Sequence, residues 1–403
     1  KNDDGTITLN VWHQWSNDTN ELKGKYEEAV KAYEKENPGV KIKTETLDTE
    51  AYKTKINAEF AGDAKGIDVF YWWGAGTAKK LVDAGKVMAL DDYVTDDVKS
   101  KILEGSTSAF EFDGKLYSVP MFSWYMTLFC NKTMFDKAGA TLPTTYDELV
   151  DAVKKLKKLD GVIPMAAGAK DGWNAAFVYQ ALALREVGAT GVNEMLSGKK
   201  EFGDEGFKKA AQKVSDLYEM GAFGDNPLEQ GNDDANAAFE NGKAAMRLMG
   251  SWFANNVYTD DAATIKPEEV VALKIPTIAD GKGEATDYCG GFVESFWVNN
   301  NTKYKEEAAK FCIYINEKMG VASYETGSGF SGWTTPADES NLNPLFIQIK
   351  DLLAEGKQGV LAWDTSLESE PAAVHNEQVQ TLFADGADID AFIDEHKAAI
   401  NGK

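Results

Sequence analysis

The sequence predicts an α/β fold of two domains built from discontinuous segments. Three observations carry that expectation. Strand-like and helix-like stretches alternate from the N-terminus, the predicted strands end in aromatic residues and glycine, and 403 residues are long for one hydrophobic core yet contain no long linker.

Ile7 to Trp12 (ITLNVW) alternates as a strand and ends in the polar-aromatic loop HQWSND. A helix follows with Leu22, Tyr26, Ala29, Val30 and Tyr33 on one face, stopped by Asn37-Pro38-Gly39. Val40 to Leu47 alternates again, Tyr52 to Phe60 forms a short helix, and Asp68 to Trp72 (DVFYW) is a buried-strand run before Trp73-Gly74. This is the rhythm of a parallel sheet.

Asp113-Gly114 marks a turn before extended chain from Leu116 to Lys132. Thr145 with Glu148 makes a capping box for a helix striped by Leu149, Val150, Val153 and Leu156. Ile163 to Ala167 is a short strand leading to Asp171-Gly172-Trp173 and a further helix. Lys243 to Met249 is strand-like, stopped by Gly250-Ser251, with Trp252 just beyond its carboxyl end. In open α/β sheets that end is where ligands sit. Val270 to Pro276 and Cys289 to Val298 read as extended, Lys305 to Met319 as an amphipathic helix, Gly327 to Gly332 as a link, and the chain from Asn343 as mostly helical. Without a linker, two domains require several crossings, expected near 121–125, 290–294 and 326–333. The expected N-terminal lobe is 1–121 plus 294–328, and the C-terminal lobe 125–289 plus 333–403.

Composition narrows the function. Apolar residues make up 43% and charged residues 27%, ordinary for a globular chain, and no apolar run approaches a membrane span. A net charge of −23 argues against nucleic acid or anionic lipid as partner. No leader is present at the N-terminus, so any export signal is expected to have been removed. Cys130, Cys289 and Cys312 lie in apolar surroundings and read as buried free thiols. His13, His375 and His396 are far apart in sequence and offer no clustered metal ligands.

The tryptophans say most by their placement. Trp15, Trp72, Trp73, Trp124, Trp173, Trp252 and Trp363 stand in loops or at strand ends beside Gly, Ser, Asn or Asp, whereas Trp297 reads as core. An indole covers the apolar face of a pyranose, while carboxylates and amides hold its rim of hydroxyls. Packing alone would also account for any one of them. Gln14, Asn17, Glu294 and Asp364 are candidates for hydroxyl contacts, and Gly74 and Gly291 complete the candidate set.

DVFYWWG, the run GKLYSVP with NKTMFDKAG, FENGKAAM followed by Gly250-Ser251-Trp252, and GGF before Trp297 occur in this order. The chain thereby resembles the carbohydrate-specific, maltose-binding-type solute-binding proteins of ABC importers over most of its length. The resemblance implies a two-lobed, periplasmic-binding-protein-like fold with a multi-segment hinge and an interlobe ligand cleft. It implies sugar-stacking roles for Trp72 and Trp252, an aromatic platform at Trp173 and an acidic hydroxyl-binder at Asp171. Trp124 stands where the maltose receptor carries an acid, a departure that argues against maltose.

The expected function is capture of a soluble oligosaccharide, hinge closure around it, and delivery to a membrane permease, with no cofactor and as a monomer. The expected setting is extracytoplasmic: a lipid-anchored lipoprotein on the surface of a Gram-positive bacterium, or else the periplasm. A glycosidase or lyase using the same cleft is the alternative. No motif selects a carboxylate pair among 65 acidic residues, and Gly74-Ala75-Gly76 is a GxG without the rest of a dinucleotide fingerprint. A receptor for a peptide or polyamine is a third reading.

Overall fold

On strand Ile7–His13 the residues Leu9, Val11 and His13 are buried while their neighbours are only partly so, the period-two pattern of a strand with one face inward. The computed structural model describes residues 2, 4–18, 20–259 and 263–402. The fold is α/β, and the chain divides into two units, residues 1–124 with 292–342 and residues 125–291 with 343–403.

In unit 1, Ile7–His13 lies between Val40–Thr46 and Val69–Trp73 and runs parallel to both. Residues 294–298 of strand Asp287–Val298 add antiparallel beside Val69–Trp73, pairing Glu294 with Trp73 and Val298 with Val69. Connecting helices Glu21–Glu36 and Thr49–Ala61 start where Asn20 and Asp48 accept hydrogen bonds from the backbone N–H groups of Leu22 and Ala51, each satisfying one donor of a first turn. Helix Lys305–Glu325 packs against Glu21–Glu36 through Tyr33, whose ring lies 5.1 Å from Phe311 and 4.9 Å from Tyr314. The parallel arrangement brings the carboxyl ends of Ile7–His13 and Val69–Trp73 to one edge of the sheet.

In unit 2, Ile163–Ala166 runs parallel to Ala244–Gly250, which pairs antiparallel with residues 126–130. Val270–Leu273 pairs with the same strand, and Asp287–Cys289 pairs parallel with Gln358–Val360. Helix Gly172–Val187 is buried at every position from Asn174 to Val187, as an apolar helix packed on all sides must be. The capping box at Thr145 and Glu148 is present.

Two readings change. The expected link Gly327 to Gly332 contains a short strand, Phe330–Ser331, paired with Phe122 and Ser123. Residues 333–342, expected in the C-terminal lobe, lie with unit 1. Trp333 donates its indole N–H to the Pro120 carbonyl at 2.7 Å, and Thr335 and Asp338 bond to Glu317 and Glu325 at 2.6 and 2.8 Å. The crossings therefore fall at 124–125, 291–292 and 342–343.

Candidate functional site

At the sheet edge of unit 1 the backbone N–H of Trp15 donates to His13 Nδ1 at 3.1 Å. Nδ1 is thus an acceptor, and a neutral imidazole then carries its proton on Nε2. Burial, reinforced by the charge of Lys23, pushes the His13 pKa down to about 3, so the ring is neutral near pH 7. Its Nε2–H is buried and meets no acceptor; Gln14 Oε1, the Tyr71 hydroxyl and Trp72 Nε1 are likewise buried without a hydrogen-bond partner. Buried polar atoms are normally satisfied, and orphans call for an explanation.

Strand alternation puts Tyr71 and Trp73 on one face of Val69–Trp73 and Trp72 on the other. Trp73 shares its face with Glu294, to whose Oε1 it donates its indole N–H at 3.0 Å. Lys53 Nζ stands 5.0 Å over the Trp73 ring. Burial raises the Glu294 carboxyl to about 7, opposed by Tyr71, Trp73 and Lys53. The Tyr71 hydroxyl faces Glu294 and Gln14 without reaching either at hydrogen-bonding geometry. Trp15, 4% exposed, packs against Tyr71 and Phe296 at 5.5 and 5.9 Å. Trp72 is 3% and Trp73 8% exposed, Trp124 is buried, and Asn17 is exposed. Gly74 has a packing reason: a Cβ there would stand 2.3 Å from the Ala109 carbonyl oxygen.

In unit 2, Trp173 and Trp252 are half-buried, with ring centres 6.5 Å apart and Phe177 5.3 Å from Trp173. Arg247 is buried among acceptors. It donates to Asn236 and Asn174 at 3.1 and 3.0 Å, to Asn232 at 3.1 Å, and to the carbonyls of Ala166 and Ala167. Burial lowers its pKa to about 9 against the pull of Glu240, Asp171 and Asp233, which leaves it cationic at neutral pH. Asp171 Oδ2 accepts from the Asn232 backbone N–H at 2.7 Å, so the acid before Trp173 is fixed through the same asparagine. Gly291 holds φ +144, a backbone region that favours glycine.

Trp363, read as a ligand-facing tryptophan, is 1% exposed. It stacks on His375 at 4.9 Å and 26° and meets Tyr179 and Phe207 at 5.5 and 5.6 Å, so it serves packing; Asp364 beside it is half-buried. The two histidines distant in sequence are adjacent in space: His375 Nδ1 and His396 Nε2 lie 2.9 Å apart. His396 Nδ1 lies 2.8 Å from the Phe392 carbonyl and therefore donates, which makes His375 Nδ1 the donor to His396 Nε2. Gln180 Nε2 then donates to His375 Nε2 at 3.0 Å. The three cysteines are buried and free, and no group of three or more metal-binding side chains occurs among the described residues.

Sequence reading missed His13, Tyr71, Phe177, Asn232 and Arg247. Position after a predicted strand pointed to the loop holding His13. Nothing local distinguishes Arg247 from an ordinary strand residue.

The family model described as bacterial extracellular solute-binding protein matches residues 16–321. The chain is 23% identical over 326 residues to the multiple sugar-binding protein of Streptococcus mutans, spanning 77% of this chain and 72% of that one. It is 27% identical over 280 residues to an ABC transporter extracellular-binding protein of Pyrococcus horikoshii, spanning 68% and 61%. A solved structure from work on xylan utilization by the thermophilic bacterium Caldanaerobius polysaccharolyticus superposes with TM-score 0.92, 36% identity, and coverage of 97% of this chain and 99% of that one. A chitin oligosaccharide binding protein superposes with TM-score 0.88 at 21% identity over 98% of both chains, a likeness of fold.

Proposed function

The chain belongs to the bacterial extracellular solute-binding proteins, and from that premise we propose that it captures a neutral oligosaccharide derived from xylan and delivers it to an ABC transporter. The observation that carries the sugar reading is the half-buried pair of indoles in unit 2, Trp173 and Trp252, with ring centres 6.5 Å apart. In unit 1 the Trp73 indole is anchored to Glu294, with the Tyr71 hydroxyl and Gln14 beside that carboxyl. Donors and acceptors interleaved with aromatic faces match a sugar, whose ring has apolar C–H faces and whose hydroxyls both donate and accept. The choice of xylan is supported by the 36% identity, over nearly the whole length, to the chain from xylan utilization.

In this reading Trp73 and Trp252 are stacking platforms, Trp173 supports or extends the second, and Gln14, Glu294 and Asp171 hold hydroxyls. Binding shifts the balance of conformations by the ligand's differential affinity for them. The protein binds and releases its ligand unchanged. Its setting is extracytoplasmic, and we place it on the surface of a Gram-positive cell, held by a lipid anchor and working as a monomer beside its permease.

Isothermal titration with β-1,4-linked xylo-oligosaccharides, malto-oligosaccharides and chito-oligosaccharides tests the ligand class. Micromolar or tighter binding confined to the xylan series is expected. Saturable binding of a malto- or chito-oligosaccharide with no response to xylotetraose overturns the xylan assignment. New reducing ends appearing over many turnovers overturn the receptor reading in favour of a glycosidase.

A further inference from the structure

Gly250 closes strand Ala244–Gly250, opposite Met126. Its backbone is outside the left-handed region, and a Cβ built on it would meet three atoms of one side chain. These are Trp252 Cζ3 at 2.0 Å, Cη2 at 2.3 Å and Cε3 at 2.4 Å. All three belong to the six-membered ring of the indole. No backbone atom is among these nearest contacts, so the requirement for glycine comes from Trp252. Trp173 and Phe177 flank the indole, each 6.5 Å from it centre to centre. Between the two residues Ser251 is fully buried, and its Oγ accepts the Tyr125 backbone N–H at 3.2 Å, which holds the turn in place.

We infer that Gly250 is a positioning residue for the Trp252 platform: its missing side chain is the seat into which the six-membered ring is laid, setting the height and tilt at which the indole meets a sugar. The inference rests on the reading of Trp252 as a platform. A methyl group at position 250 suits strand geometry but displaces the ring, so the cost of Gly250→Ala passes through Trp252.

A double-mutant cycle with Gly250→Ala, Trp252→Ala and the pair tests this, reading xylotetraose affinity by calorimetry and stability by melting temperature. Gly250→Ala should weaken xylotetraose binding by about tenfold or more, the scale of a hot-spot aromatic. The pair should bind within about twofold of Trp252→Ala alone, because the second change has no ring left to displace. The melting temperature should fall in Gly250→Ala, and adding Gly250→Ala to Trp252→Ala should cost nothing further. If Gly250→Ala binds as the parent does while Trp252→Ala is weakened, the seat is overturned and the platform stands. If Trp252→Ala binds as the parent does, the platform reading falls, and the melting temperatures decide the seat. A loss in Gly250→Ala that vanishes on the Trp252→Ala background supports it, and an equal loss on both backgrounds overturns it.

Discussion

Trp73 donates its indole N–H to Glu294 Oε1 at 3.0 Å, joining residues 221 positions apart. The bond spans neighbouring antiparallel strands, in which Glu294 and Trp73 are direct partners. It gives a buried carboxyl a donor and gives the indole a fixed orientation.

Glu294→Gln can still accept that N–H through its amide oxygen, whereas Glu294→Ala leaves it buried and unsatisfied, at a cost of about 1–3 kcal/mol. Glu294→Ala should therefore weaken xylotetraose binding about tenfold, and Glu294→Gln should stay within about threefold of the parent. Equal losses in both variants, measured by calorimetry, would contradict the anchoring role.

The same carboxyl sets a slope of stability against pH. Its folded pKa is raised, by burial, to about 7, so between the unfolded value near 4.5 and about 7 the folded protein holds the extra proton. Stability from this group is thus present at low pH and lost as pH rises through that window, roughly 3 kcal/mol in all. In Glu294→Gln, denaturant titrations at pH 5 and 8 should show this component gone; an unchanged difference refutes the assignment.

The histidines act with the opposite sign. Burial holds His396 near 4 and His375 well below 6.5, while the unfolded chain protonates near 6.5. The unfolded state takes up protons first on acidification, so stability falls as pH drops from about 6.5 toward 4. With three histidines in the chain, ring C–H resonances are readily assigned by NMR. The His396 signal should titrate near 4 in the folded protein, and a midpoint near 6.5 would contradict the buried relay.

Arg247→Met should remove the donors that serve Asn174, Asn232, Asn236 and two carbonyls. Asn232 Oδ1 keeps the Asn174 amide as donor, and leaving the other acceptors without these donors costs ~2–4 kcal/mol, seen as a lower denaturation midpoint with an unchanged slope. A loss under about 1 kcal/mol would show that the network contributes little.

The alternation of strands and helices was legible because period-two and period-3.6 patterns reflect which faces are buried, and Ile7–His13, Val69–Trp73 and Ala244–Gly250 lie within a residue or so of where their patterns put them. The helix expected to stop at Met319 continues to Glu325. Gly320 is there for packing, since a Cβ on it would stand 2.4 Å from the Met121 carbonyl oxygen. Trp363 looked like a loop tryptophan because Ala362-Trp363-Asp364 is short and polar at one end. Its burial depends on Tyr179, Phe207 and His375, which local sequence does not reveal. The His375–His396 pair was hidden for the same reason: packing of Ser369–Thr381 against Ile389–Asn401 brings them together.

The central claim is that aromatic platforms of this chain receive successive rings of one neutral oligosaccharide. A thermal-shift and calorimetric series from xylose to xylohexaose measures it most directly, because a ligand bound only by the folded state stabilises it by RT ln(1 + [L]/Kd). Affinity should climb from xylose to the tri- or tetrasaccharide and then level off. A melting-point shift as large with xylose as with xylotetraose would contradict the account.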